Sequence, residues 1–123
     1  PYRLLVEAMP SSHLDFLRAL KLYHRTDDAL CVHGGLDPAI PSVEDQPREA
    51  LLWGTDEFFD GYSGDEMIVY GHWANAVLDR DGWPQPCRGN RTIGVDTIDH
   101  GVLTALVLPQ MQVILSARFG GDA

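Results

Sequence analysis

The chain predicts a mixed α/β fold that ends in a β-meander, on three observations. Two short apolar runs, residues 29–32 and 67–70, stop abruptly at a histidine beside glycine, in Val32-His33-Gly34-Gly35 and Tyr70-Gly71-His72. That is the pattern of buried strands delivering a side chain to the carboxyl edge of a sheet, where open α/β sheets place their ligands. Stretches with apolar residues at helical spacing lie before and between these runs. Three further strand-like runs, residues 92–95, 102–108 and 112–117, follow closely on one another, as in a meander.

In chain order, Pro10-Ser11-Ser12 supplies a capping signal, and Leu14, Phe16, Leu17 and Leu20 follow at helical spacing, which predicts a short amphipathic helix. Residues 22–25 and 29–32 read as two strands around the turn Thr26-Asp27-Asp28. Residues 34–46, with two prolines and two glycines, read as a loop. Pro47 suits the opening of a helix, and residues 48–53 carry Ala50, Leu51 and Trp53 for burial. Residues 56–59 extend this as a second short helix, and 67–70 form the next strand. Residues 74–91 make an eighteen-residue connection holding Asp-Gly, Trp-Pro and Gln-Pro pairs. Such a length is unusual in a compact domain and marks a functional loop overhanging His72. No repeat, low-complexity tract or linker divides residues 1–123, which read as one domain or a portion of one.

Composition sets limits on function. With 123 residues, 45% of them hydrophobic and 22% charged, the chain is long enough to bury roughly two-thirds of its unfolded surface. A formal charge of −9, with nine scattered Lys and Arg, argues against nucleic-acid and anionic-membrane partners, since both require a basic patch to neutralise phosphates. A phosphate ester would therefore need bound cations to supply the positive field. Cys31 in an apolar strand and Cys87 in a proline-rich loop form no Cys-x-x-Cys pair, so a reducing, cytoplasmic setting is expected. The longest largely apolar run, residues 102–108, is too short to span a bilayer.

His33 and His72 are the candidate metal ligands. Neutral imidazole suits Mn, Fe or Zn, and the glycines beside each histidine, Gly34 and Gly71, leave room for a metal or phosphate to approach. Each histidine also has a plainer reading: His33 as a hydrogen-bonded packing residue, His72 as a solvent-facing loop residue.

Taken in order, Val32-His33-Gly34-Gly35-Leu36-Asp37-Pro38, Leu51-Leu52-Trp53, Val69-Tyr70-Gly71-His72 and Val95-Asp96-Thr97 with Leu103-Thr104-Ala105-Leu106 resemble the second half of calcineurin-like metallophosphoesterases. The likeness is to the bacterial branch of phosphoprotein phosphatases and diadenosine tetraphosphatases. Residues 10–20 resemble the helix that precedes the first histidine strand there. The resemblance implies the carboxyl-terminal half of a four-layer α-β-β-α sandwich. It implies two divalent transition metals in the intact enzyme, with His33 and His72 sharing one of them. It also implies hydrolysis of phosphate monoesters, dinucleoside polyphosphates or phosphoproteins through a metal-held hydroxide. The family's Asp-x-His, Gly-Asp-x-x-Asp-Arg and Gly-Asn-His-Glu motifs do not occur in this sequence. The chain, which opens on Pro1, is accordingly expected to be a fragment that is inactive alone and lacks its amino-terminal half.

Several residues depart from the family pattern or stay open. Trp73 stands where the family usually has Thr, compatible with an aromatic lid beside the metal. Asp96 either supports a ligand by hydrogen bonding or caps the turn Thr97-Ile98-Asp99. His100, in a turn that often reads Gly-Ala in relatives, joins the same locale without an assigned role. Thr55 replaces an arginine that would grip phosphate, for which Arg80, Arg88 or Arg91 are possible substitutes. Trp53 reads as core, and Asp56, Glu57 and Asp60 as a solvated helix face. The alternative to an enzyme fragment is a non-catalytic binding or regulatory module on a degenerate phosphatase fold.

Overall fold

A computed structural model describes residues 2–74 and 87–119. They form four α-helices, Tyr2–Ala8 (α1), Ser11–Arg18 (α2), Arg48–Trp53 (α3) and Asp56–Gly61 (α4). Seven strands accompany them: Tyr23–Arg25 (β1), Leu30–Val32 (β2), Ile68–Tyr70 (β3), Cys87–Arg88 (β4), Thr92–Gly94 (β5), Thr104–Val107 (β6) and Gln112–Leu115 (β7). Single 3-10 turns occupy Val43–Asp45 and Ile98–His100.

Five strands make one mixed sheet in the order β1-β2-β3-β5-β4. Its centre is parallel, with Leu30 opposite Ile68 across β2 and β3, and Ile68 opposite Thr92 across β3 and β5. A parallel neighbour requires a crossover connection, and α3 and α4 lie in the one between β2 and β3. The two outer strands are antiparallel: β1 folds back on β2 through the Thr26 turn, where the Ala29 amide and the Thr26 hydroxyl bond to one another. Central strands of this kind are buried on both faces, and all three residues of β5 are buried.

The core lies on the helix side of this sheet. Leu30, Val32, Ile68 and Tyr70 pack with Leu36, Val43, Leu51 and Phe58. Phe58 is fully buried and meets Phe59, Tyr62 and Tyr70 at ring-centroid distances of 5.4, 6.0 and 5.2 Å. The contacts with Phe59 and Tyr70 are edge-on, a geometry that suits aromatic quadrupoles.

The three-strand meander expected over residues 92–117 does not form. β6 and β7 form an antiparallel pair of their own, with Thr104 opposite Leu115, whereas β5 belongs to the five-stranded sheet. The 3-10 turn at Ile98–His100 and the left-handed Gly101 (φ 71°) turn the chain away after β5, so that β6 leaves the plane of the first sheet. Mixed α/β architecture with two sheets is thus present.

The amino-terminal helices differ from expectation in a second respect. Pro10, and neither serine, occupies the cap position of α2, and no side chain caps it. α1 and α2 bury none of their residues, and Leu4, Leu5, Phe16 and Leu17 are all exposed. The apolar stripe of α2 therefore faces outward. Among the described residues no helix is long and apolar enough to cross a membrane.

Candidate functional site

His33 and His72 are brought together by the parallel pairing of β2 with β3. Each strand is three residues long and stops at the same end of the sheet, so the residue after β2 and the second residue after β3 emerge side by side. The ladder continues one step past the strands: the Gly71 amide donates to the His33 carbonyl at 2.9 Å, and the Val95 amide to the Tyr70 carbonyl at 2.9 Å. The two imidazole centroids lie 5.0 Å apart, tilted by 54°.

The flanking glycines have different tasks. A methyl at Gly34 would stand 2.6 Å from the Leu52 carbonyl carbon and oxygen and from the Gly54 nitrogen, so glycine there lets the turn after β2 lie against the end of α3. The Gly34 amide donates to the Leu51 carbonyl at 2.8 Å across the same contact. Gly71, by contrast, has among the described residues only the His33 carbonyl oxygen nearby, at 3.7 Å, an ordinary contact.

His72 has a positive φ of 63°, unusual for a residue with a side chain. Backbone held in such a region costs on the order of 1–3 kcal/mol and persists where its surroundings over-determine it. Two indoles surround it: Trp53 meets the imidazole edge-on at 5.1 Å and Trp73 at 5.8 Å. Trp73 also packs on Phe59 at 5.2 Å, and its indole N–H donates to the Trp53 carbonyl at 2.7 Å.

A cleft of about 300 Å³ opens from the pair, lined by His33, Gly71, His72, Asp96, Thr97 and Leu103 among others. Asp96 therefore shares the histidines' locale, and its Oδ1 accepts from the Ile98 amide at 3.3 Å, the turn-capping role. Thr97 is buried, its hydroxyl bonded to the Val102 carbonyl (3.0 Å) and the Thr104 hydroxyl (2.7 Å), which ties the floor of the cleft to β6. His100 lies in the 3-10 turn, its amide donating to the Thr97 carbonyl at 3.0 Å, and does not line the cleft.

The spacing of the pair can be tested against a shared metal ion. A metal–nitrogen bond of about 2.1 Å puts an imidazole centroid about 3.2 Å from the ion, so two ligands sit about 4.5 Å apart at a right angle and about 5.2 Å apart at the tetrahedral angle. The observed 5.0 Å falls between these values, so the spacing of the two rings is compatible with one shared ion. Among the described residues no group of three or more His, Cys, Asp and Glu side chains converges, so this pair is a partial ligand set.

Other expected residues are placed elsewhere. Trp53 is not core: it is 59% exposed, because α3 buries Ala50 and Leu51 and its last residue turns outward before Gly54. Thr55 donates its hydroxyl to the Leu36 carbonyl at 3.3 Å. Arg91 donates to the Asp65 carbonyl at 2.9 Å, at the amino end of β5 and away from the histidines. Asp56, Glu57 and Asp60 are exposed on α4, the solvated face that the sequence suggests. Arg80, the side chains of Cys87 and Arg88, and most of the 74–91 connection lie outside the described residues.

At the opposite end of β2 and β3 a cavity of about 410 Å³ is lined by Leu30, Leu36, Tyr62, Arg25 and Glu66 among others. Arg25 is consumed there by ion pairs with Glu66 (2.9 Å) and Glu44 (3.0 Å). Glu66, first of all through its hydrogen bond, pushes the guanidinium pKa up. Hydrogen bonding by Ser42, with the nearby Arg25 adding to it, holds the Glu44 carboxyl below the usual range. No protein-family model matches the chain, and no curated protein matches it.

Proposed function

We propose that the chain is the carboxyl-terminal portion of a metallophosphoesterase domain in which His33 and His72 hold one divalent transition metal, Mn, Fe or Zn. The observation that carries this reading is the 5.0 Å spacing of the two imidazoles at the carboxyl edge of the parallel strands, within the range that one shared ion requires. When bound, such an ion supplies Lewis-acid polarisation of a phosphoryl oxygen and a water acidic enough to react near neutral pH. Its positive charge also answers a difficulty of composition, since a chain of net charge −9 has little else with which to attract a phosphate.

In this reading the chain's own residues have limited tasks. His33 and His72 bind the ion, Gly71 leaves the space through which a phosphate reaches it, and Asp96 lines the approach. The remaining ligands and a proton donor come from a segment bearing Asp-x-His, Gly-Asp-x-x-Asp-Arg and Gly-Asn-His-Glu, which this sequence lacks. Phosphate monoesters, phosphoproteins and dinucleoside polyphosphates are the substrate classes, in a cytoplasmic setting. The coding DNA upstream of Pro1 tests the assignment: an open frame carrying those motifs is expected, and a continuous frame without them contradicts it. The purified chain supplied with Mn(II) is expected to hydrolyse a phosphomonoester no faster than its metal-free control.

A non-catalytic module on the same fold is the second reading. It is favoured by Thr55, whose hydroxyl is engaged with the Leu36 carbonyl at a position where a phosphate-gripping arginine would serve an enzyme. The upstream sequence separates the two readings.

A further inference from the structure

The residue after His72 is a tryptophan anchored through both its ring and its backbone. Its indole N–H donates to the Trp53 carbonyl at 2.7 Å, the last carbonyl of α3, and its own amide lies 2.6 Å from the Gly71 carbonyl. The indole meets the Phe59 ring in an edge-to-face contact at 5.2 Å.

Its location explains what the anchoring does. His72 follows β3 with φ at 63°, as the central residue of a tight turn closed by the Trp73 amide donating to the Gly71 carbonyl at 2.6 Å, a strained turn that needs outside support. Trp73 comes immediately after and ties the chain to α3, the same helix end on which Gly34 rests through Leu52 and Gly54. The turns after β2 and β3 are therefore both referred to one point, the α3 terminus around Trp53 and Gly54. A methyl on Gly54 would meet both partners of that junction, the Gly34 carbonyl oxygen at 2.7 Å and the Trp73 Nε1 at 2.9 Å. The imidazole of His72 then lies between the Trp53 edge and His33, with 5.1 and 5.0 Å between centroids.

We propose that Trp73 is a positioning residue, whose indole N–H, bonded to the Trp53 carbonyl, locks His72 into its positive-φ conformation and so sets the His33–His72 spacing. The consequence for metal binding rests on the metallophosphoesterase reading; the consequence for ring geometry does not. Groups that orient a metal ligand from outside are typically worth ten- to a hundredfold in metal affinity. The loss expected here lies near the lower figure, since the bond is exposed.

Trp73→Phe removes the N–H donor while keeping an aromatic ring against Phe59 and His72. Two readouts on the whole chain are needed. In the metal-free protein, the proton cross-relaxation between the His33 and His72 rings is expected to be strong in the wild type and lost in Trp73→Phe. With Mn(II) as probe in calorimetry, affinity is expected to fall about tenfold in the variant. A melting curve with an unchanged cooperative transition shows that the variant is folded. Should Trp73→Phe fail to fold, His33–His72 cross-relaxation in the folded Trp73→His variant, whose shorter imidazole cannot reach the Trp53 carbonyl, decides in the same way. A ring–ring signal kept at full strength in a folded variant overturns the positioning role. A wild type with the ring–ring signal but no Mn(II) binding sinks the metal reading and leaves the positioning role standing on the signal's loss in the variant.

Discussion

Replacing each of the two glycines beside the histidines by alanine separates what the fold demands from what a ligand would demand. At Gly34 the added methyl meets the backbone of Leu52 and Gly54 at 2.6 Å, well inside van der Waals contact, and backbone atoms cannot rotate away as a side-chain tip can. Relief requires the turn after β2 to separate from α3, stretching the 2.8 Å bond from the Gly34 amide to the Leu51 carbonyl. Overpacking of this kind costs about 1–3 kcal/mol. An unfolding entropy of about 2.1 cal/mol/K per residue, over 123 residues, gives about 0.26 kcal/mol/K, so Gly34→Ala should lower Tm by about 4–12 °C. At Gly71 the nearest atom to a methyl is the His33 carbonyl oxygen at 3.7 Å, an ordinary contact. Gly71→Ala should therefore change Tm by no more than about 2 °C, the effect of a substitution within about 0.5 kcal/mol. Calorimetric melting of the three proteins in one buffer is the assay. Equal Tm losses in the two variants, or a larger loss for Gly71→Ala, would refute the assignment of the steric role to Gly34.

Phe58→Ala removes a fully buried ring in contact with Phe59, Tyr62 and Tyr70, so a loss of about 3–5 kcal/mol is expected, read as a Tm decrease of about 12–19 °C. Glu44 titrates below the usual carboxylate range in the folded chain, first because of the Ser42 hydroxyl, then because of a hydrogen bond from its own backbone amide, with Arg25 adding to both. A depressed folded pKa contributes stability that is present above the ordinary value of about 4.3 and lost as pH falls through the folded one. Glu44→Gln should thus melt below the wild type at pH 7 and alongside it at pH 2.5, and a gap that widens in acid would contradict this. Burial pushes the Cys31 thiol up, leaving less thiolate near neutrality, so in a Cys87→Ser background it should alkylate at pH 8 more slowly than a free cysteine, with peptide mass as the readout.

The sheet was legible because β2 and β3 are short apolar runs cut off at a histidine beside glycine, β5 is a short run ending in Gly94, and β1 is set off from β2 by the turn Thr26-Asp27-Asp28. Helix α1 went unread although Tyr2, Leu5, Val6 and Met9 recur at helical spacing, and Tyr2, Leu5 and Val6 stay exposed. The meander misled because sequence proximity is a fair guide to strand pairing only while the chain stays in one plane, and the 3-10 turn with Gly101 takes it out. Trp53 was misread for a related reason. Periodicity over the six residues of α3 does not fix which side its last position faces, and Gly54 at φ 70° ends the helix there. The histidine pair could be found because each member terminates a strand of the parallel centre. That Trp73 reaches back to the Trp53 carbonyl could not, since a hydrogen bond across 20 positions leaves no trace in local pattern.

Mn(II) and Zn(II) calorimetry on the wild-type chain and on the His33→Ala, His72→Ala double variant tests the central claim most directly. The account predicts one saturable site in the wild type and none in the double variant, because the two imidazoles 5.0 Å apart are the ligands this chain contributes. Identical titrations for the two proteins would contradict it.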